Sequence, residues 1–386
     1  MTPYIFKMND SNINNLSELL ASLKADNVSP DSYHFYIDRF LSFKAREKGI
    51  PYSGTFELTP LCNLDCKMCY VHMTAEQMQG RKLLSVDQWK NLMTQARDAG
   101  MMRAKLTGGE CLTYPGFDEL YLHLHSMGVN VNVLTNGVLL DEKRIEFFKK
   151  HPPRGIQVTL YGSCEDAYEK VTGKREFSTV YNHIKAVVEA DLPISLAITP
   201  NGFMTDDALN LVDAAQNLGI KYTINTSLFD PRQETGRAGK KVDAPLDIYI
   251  DMYKRQLSYL GISEQTPIEE EDLPVPGHSE KPQFGIRCAA GMGMFEIDWK
   301  GRMFGCSNLR SLYADPLESS FDAAWESIHN RALQYPVPSE CGDCAYSPVC
   351  VVCPAAHEQN GSSAHCNTFY CERVRRMVME GITKLE

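Results

Sequence analysis

From Gly54 to Leu260 the chain alternates short β-rich runs with amphipathic helical patterns, the signature of βα units that pack helices against a parallel sheet. Six candidate strands can be read: Thr55 to Leu58, Arg103 to Thr107, Val129 to Thr135, Ile156 to Tyr161, Ile194 to Thr199 and Tyr222 to Asn225. Helix punctuation fits between them. Ser85 followed by Gln88 is a capping box, and that helix stops at Gly100; Asp141 opens another, which Pro152 and Pro153 close. Upstream, Asn14 to Leu23 sets Leu16, Leu19, Leu20 and Leu23 on one helical face and Tyr33 to Phe43 does the same, a helical N-terminal cap. Downstream, a helical run from Leu246 to Leu260 gives way to the acidic, proline-rich stretch Glu264 to Pro282, read as a linker. The expected units are therefore a cap over 1–52, the βα unit over 53–260, a linker over 261–286 and a cysteine-rich region over 287–386.

A chain of 386 residues has room for a main domain and a smaller one. Its formal net charge of -10 argues against a grip on nucleic acid, which needs Lys and Arg to neutralise phosphates. With no basic-then-apolar N-terminus and no apolar run near the roughly 20 residues that span a bilayer, the expectation is a cytoplasmic protein off the membrane. Thirteen cysteines in a reducing compartment point to metal ligands rather than disulfides.

Three of them, Cys62, Cys66 and Cys69, stand directly after the first strand, with Tyr70 next. Three thiolates on one loop can hold three irons of a cubane and leave the fourth without a protein ligand. The competing reading is zinc, because His72 completes a C-x2-H spacing with Cys69 and a tetrahedral set of four. Gly108, Gly109 and Glu110 end the second strand, where a glycine turn admits close backbone approach and a carboxylate can meet an ammonium.

Together these residues resemble the radical S-adenosylmethionine superfamily, whose hallmark C-x3-C-x2-C plus an aromatic is matched by Cys62, Cys66, Cys69 and Tyr70 without a gap. The resemblance covers about Gly54 to Leu260 and implies a partial (β/α)6 TIM-like barrel. It implies a [4Fe-4S] cluster on the three cysteines and S-adenosylmethionine on the open iron. Gly108, Gly109 and Glu110 are then expected at the methionine moiety and the backbone near Tyr70 at adenine, with Thr135, Asn136 and Thr159 as further contacts. In that family an injected electron breaks a sulfur–carbon bond and releases a 5′-deoxyadenosyl radical that abstracts hydrogen.

The C-terminal region holds Cys288, a glycine at 301 followed after four residues by Cys306, then Cys341, Cys344, Cys350, Cys353 and Cys371. Two C-x2-C pairs also suit structural zinc. The pattern resembles the SPASM extension of peptide-modifying radical enzymes, with one departure: two residues separate Cys350 from Cys353 where three are usual. By that resemblance Cys288, Cys306 and Cys353 bind a first auxiliary [4Fe-4S] cluster and Cys341, Cys344, Cys350 and Cys371 a second. The first set lacks a fourth cysteine, since Met294 occupies one plausible place; an open iron, Cys366 or an oxygen or nitrogen ligand could complete it.

Other residues read more plainly. Cys111 and Cys164 fit packing better than catalysis, and His123 and His125 fit a solvent-facing helix. Arg232 and Arg237 are candidates for a substrate carboxylate, weighed against a solvated loop. The acidic run Glu269 to Asp272 is a solvated face. The expected function is a maturase of ribosomally made peptides that installs a thioether or other side-chain crosslink, with no catalytic residue singled out and with a reductant such as flavodoxin or ferredoxin as partner. The alternatives are a formylglycine-forming sulfatase activator using a carboxylate base such as Asp298 or Asp230, and a non-catalytic iron–sulfur electron-transfer or peptide-binding protein.

Overall fold

In the computed structural model, residues 15–26, 28–225, 227–236, 242–262, 267–274, 282–350, 352–359, 366 and 368–385 are described. Asn14, Arg237 and parts of the Glu264 to Pro282 stretch lie outside them. The N-terminal pattern folds as two helices, α1 (Leu16–Ala25) and α2 (Tyr33–Glu47). Asn15 caps α1 by accepting from Glu18 N at 3.0 Å, and Leu19 and Leu23 meet Phe40 in a small core of their own.

Strands and helices then alternate as β1 (Ser53–Glu57), α3 (Val86–Asp98), β2 (Arg103–Thr107), α4 (Phe117–Ser126), β3 (Asn130–Thr135), α5 (Glu142–Lys150), β4 (Gly155–Thr159), α6 (Glu165–Thr172), α7 (Phe177–Glu189), β5 (Ile194–Ile198), α8 (Ala208–Asn217), β6 (Tyr222–Ile224) and α9 (Leu246–Tyr259). The strands lie side by side in chain order, all parallel. This is the α/β architecture of a partial TIM-like barrel. Local chemistry fixes the ends: Ser85 Oγ accepts from Gln88 N at 3.2 Å while Gln88 Oε1 accepts from Ser85 N at 3.0 Å, and Asp141 Oδ1 caps α5 through Arg144 N at 2.9 Å. The β4–β5 connection holds two helices, because Gly173 at φ +71° ends α6 in left-handed backbone that most side chains resist.

The cysteine-rich part contributes β7 (Gln283–Phe284), β8 (Met294–Ile297), β9 (Met303–Cys306), β10 (Leu309–Ala314), α10 (Phe321–Leu333), β11 (Pro336–Val337), α11 (Ser339–Gly342), α12 (Pro354–Gln359) and α13 (Thr368–Met379). Here the sheet runs on across residue 287. β8 pairs parallel to β1, from Ser53 with Met294 to Phe56 with Ile297, and β9 and β10 follow antiparallel. The result is one sheet in the order β10-β9-β8-β1-β2-β3-β4-β5-β6. Without β8, β1 would expose an unpaired edge in the middle of the protein.

Packing seals this joint. Phe295 is fully buried and meets Phe56, Phe321 and Trp325 edge-on, with ring centroids 5.9, 5.1 and 6.2 Å away. Gly54 has to be glycine here, since a Cβ would come within 2.5 Å of the Phe295 ring. The Trp325 indole N–H donates to Gly49 O at 2.6 Å, so α10 also holds the end of the cap. Phe295→Ala should therefore cost about 3–5 kcal/mol and lower the unfolding midpoint of the barrel itself. Denaturant titration of a variant keeping Trp89 of α3 as its sole tryptophan reads this; an unshifted Trp89 transition would mean that the C-terminal strands fold separately.

Candidate active site and metal centres

Beyond β1 and β2 the two chains stay zipped: Thr107 O accepts from Leu58 N at 2.9 Å, Thr59 O from Gly109 N at 2.7 Å and Leu61 O from Glu110 N at 2.9 Å. That contact explains the glycine pair. A Cβ on Gly108 would lie 2.4 Å from Thr59 O, and one on Gly109 2.4 Å from Leu61 O. The close approach expected toward a ligand is made first to the backbone that carries Cys62.

The loop from Cys62 to His72 is anchored on α6 by Asp65 N to Thr172 O at 3.0 Å and Lys67 N to Val171 O at 2.9 Å. Its sulfurs receive N–H groups: Leu64 N and Asn136 Nδ2 point to Cys62 Sγ at 3.4 and 3.6 Å, and His72 N to Cys69 Sγ at 3.3 Å. Burial pushes the Cys62 thiol up to about 12, so a bound cation has to displace that proton. Amide donors around buried sulfur suit thiolate ligands, and the three thiols open into a cavity, so the donor set fits an iron–sulfur cluster.

The zinc reading fares worse. Zinc–sulfur bonds of about 2.3 Å in a tetrahedron set ligand atoms about 3.8 Å apart. Among the described residues, the one set of three or more metal-capable side chains packed within 4.8 Å is elsewhere, at Cys341, His357 and Cys366. His72 itself is buried, with Nδ1 3.2 Å from Asp65 Oδ1.

The cavity above the cysteines measures about 540 Å3 and is walled by residues from the C-terminal ends of the barrel strands: Thr107, Thr135, Thr159, Thr199 and Asn225. Active sites of parallel βα barrels form at this rim. Of the expected contacts, Tyr70, Gly108, Gly109, Thr135, Asn136 and Thr159 line it. Glu110 does not. It is buried, and its carboxylate accepts from Leu112 N at 3.0 Å, Asn136 N at 2.8 Å and Thr135 Oγ1 at 2.9 Å. Glu110 thus ties the end of β2 to the end of β3, and Asn136, so held, donates to Asn63 Oδ1 at 2.7 Å beside Cys62.

Arg232 departs furthest from its sequence reading, its guanidinium being paired with two buried carboxylates rather than solvated. Its side chain is 8% exposed and bridges Glu57 of β1 at 2.8 Å and Glu296 of β8 at 3.3 Å. Nη2 also reaches Ser307 O at 3.0 Å, the backbone N donates to Tyr70 O at 3.1 Å, and the guanidinium lies 5.2 Å from the Tyr70 ring centre. Burial works against the guanidinium, but Glu57 and Glu296 outweigh it and hold its pKa above the ordinary value. Burial pushes Glu57 up to about 7 against the pull of Arg232.

The C-terminal cysteines form two neighbourhoods. Cys306 sits within electrostatic reach of Cys288 and Cys353, while Cys341, Cys344, Cys350 and Cys371 surround one small cavity. Cys366 belongs with that second group rather than with the first. Cys111 is fully buried, with Sγ 3.3 Å from Leu134 O, and Cys164 is exposed at the start of α6; neither lines the main cavity. His125 is exposed, but His123 is half-buried with Nε2 2.9 Å from Thr94 Oγ1. Asp298 cannot serve as a free base: it is fully buried and accepts from Arg302 Nε and Arg310 Nη2, each at 3.0 Å. Asp230 lines a neighbouring cavity with Arg232 and Glu234.

Sequence reasoning missed Gln157, Asn225 and Asn308 in the cavity wall. For Gln157 a signal existed, since it stands two residues before Thr159 on the same face of β4. Asn308 is brought in by the β9–β10 turn, which only the long-range pairing with β1 positions.

Residues 56–231 match the radical SAM superfamily model. Sporulation killing factor maturation protein SkfB of Bacillus subtilis is 30% identical over 171 residues, 44% of this chain and 41% of that protein. The antilisterial bacteriocin subtilosin biosynthesis protein AlbA of the same organism is 22% identical over 320 residues, 79% of this chain and 68% of that one. This chain therefore spans less than half of SkfB. Among solved structures, Streptococcus suis SuiB superposes with a TM-score of 0.63 at 14% identity, covering 92% of this chain and 87% of that one, a likeness of fold.

Arg232→Met leaves the buried Glu57 carboxylate without its cation and Glu296 with Arg310 alone, 3.4 Å away, and should destabilise the protein by about 3–5 kcal/mol. Arg232→Lys, keeping the charge, should recover part of that loss in urea titrations. Equal losses in the two variants would show that shape rather than charge matters at this joint.

Proposed function

We propose, from the membership of residues 56–231 in the radical SAM superfamily, that this chain cleaves S-adenosylmethionine reductively and modifies a ribosomally made peptide, by a thioether or another side-chain crosslink. The observation that carries the reading is the opening of the Cys62, Cys66 and Cys69 loop into a cavity walled by the barrel strand ends. In this reading those cysteines hold a [4Fe-4S] cluster. When bound, the cluster and S-adenosylmethionine supply a 5′-deoxyadenosyl radical that removes hydrogen from the substrate.

The chain's own residues prepare the place. Gly108 and Gly109 keep the floor of the cavity low enough for backbone to face a ligand, and Glu110 fixes that floor to the Thr135–Asn136 turn. Tyr70, Thr135, Asn136 and Thr159 offer polar and aromatic contacts to the nucleoside and amino-acid ends of S-adenosylmethionine. Leu64, Leu134, Tyr161 and Phe229 add an apolar wall that limits water around a reactive species.

Peptide modification is supported by the relatives, which include a sporulation killing factor maturation protein, a PqqA peptide cyclase and a bacteriocin biosynthesis protein. Cys288, Cys306 and Cys353 form the first auxiliary centre and the Cys341 group the second, with flavodoxin or ferredoxin as reductant. Of the two carboxylate bases considered for formylglycine formation, Asp298 is buried between two arginines, whereas Asp230 lines a cavity.

The test is anaerobic reconstitution with iron, sulfide, S-adenosylmethionine and dithionite. 5′-Deoxyadenosine should form in the wild type and vanish in Cys66→Ala. With small cysteine-containing peptides, mass spectrometry should find the loss of two hydrogen atoms. Conversion of a cysteine thiol to an aldehyde would instead favour the sulfatase-type activity, and absence of 5′-deoxyadenosine under every reductant would sink the enzymatic reading altogether.

A further inference from the structure

Cys366 and His357 lie outside the ligand pattern that the second cysteine group shares with the SPASM extension, yet the fold delivers both to it. Cys341 Sγ, a His357 ring nitrogen and Cys366 Sγ all lie within 4.8 Å of one another. Cys366 lines one small cavity together with Cys341 and Cys371. A cavity of about 50 Å3 adjoins these groups, lined by Cys341, Cys350, Cys353, His357, Cys366 and Cys371.

Each residue arrives by a separate route. Cys341 lies in α11. His357 lies in α12, where its backbone N bonds Cys353 O at 3.2 Å. Cys366 sits just ahead of α13, with its backbone N held by Glu340 Oε2 at 2.8 Å, one residue from Cys341. His357 is 4% exposed and Cys341 equally buried. Burial of an imidazole among thiols is a poor arrangement for packing, because thiols are weak hydrogen-bond partners. As a donor set it is a good one: thiolate with imidazole suits zinc and the irons of iron–sulfur clusters. Ligands that share one ion stand about 3.8 Å apart in a tetrahedral thiolate site, inside the observed span; ligands on separate irons of a cubane stand farther apart.

We propose that Cys366 and His357 are metal ligands of the second centre and hold, with Cys341, a single tetrahedral ion, since an iron of a cubane, already bound to three sulfides, takes only one protein ligand. The proposal rests on the reading that Cys341, Cys344, Cys350 and Cys371 hold a metal centre.

The test uses the full chain, purified anaerobically with 15N-labelled histidine. Metal content, pulsed electron paramagnetic resonance after dithionite, and zinc- and iron-edge X-ray absorption are compared among wild type, His357→Gln, Cys366→Ser and Cys344→Ser. A 15N coupling, or a nitrogen scatterer at the zinc edge, should be present in wild type and lost in His357→Gln with metal content retained. Which of the two appears identifies the ion as iron or zinc. Cys366→Ser should release metal to a chelator at least about tenfold faster, the lower end of what loss of a supporting group costs a metal site. The proposal is overturned if no histidine nitrogen touches any metal and both variants match wild type while Cys344→Ser loses metal. If Cys344→Ser also leaves metal content unchanged, the centre itself is absent, and the underlying reading falls with the proposal.

Discussion

One guanidinium holds the two halves of this protein in register. Arg232 follows β6 in the chain, yet its side chain joins Glu57 at the end of β1 to Glu296 in β8, and its backbone joins Tyr70 beside the cysteine loop. The parallel pairing of β8 with β1 places the two carboxylates side by side, and neither could stay buried and ionised without a cation between them. Ion triads of this kind rarely add stability over a hydrophobic equivalent. What this one adds is geometry: only the register Thr55 with Glu296 puts both acids within reach of one arginine, so a slip of β8 along β1 is penalised by an uncompensated charge.

Backbone sterics impose the second constraint. The glycine pair after β2 lets that turn press against Thr59 and Leu61 at distances no side chain allows, so the cysteine loop begins from a fixed platform. Glu110 then carries the same rigidity to β3 through Thr135 and Asn136. Cys62 is reached from both sides, by its own loop through Leu64 N and by Asn136 Nδ2 from the neighbouring strand end. The loop is thus tied to its barrel surroundings on both sides.

What the sequence made legible was local. Strand positions, the Ser85 and Asp141 caps and the cysteine loop rest on periodicity, capping chemistry and spacing, which operate within a few residues of chain. The joining of β8 to β1 was not legible, because Met294 to Ile297 reads as a strand without saying which edge it completes. The same blindness misplaced Arg232: a charged residue between Pro231 and Gln233 looks solvated until the partners that lie 175 and 64 residues away are known. His357 escaped, and Cys366 was weighed only for the first set, for a related reason, since their spacing from the other cysteines matches no short motif and only the packing of α11, α12 and α13 brings them together.

The shared sheet also bears on how chemistry in the barrel is coupled to the cysteine-rich part. Asn308 lines the main cavity, and Cys306, two residues earlier, ends β9 in the neighbourhood of Cys288 and Cys353. Had the C-terminal region been a separately packed domain, the gap between the cavity and the first auxiliary group would vary with every hinge motion. Because β9 is two strands from β1 in one continuous sheet, that gap is set by hydrogen bonds between strands. Asn308 in the cavity wall and Cys306 at the end of β9 are then held in place relative to β1 by the same register that the Arg232 triad enforces.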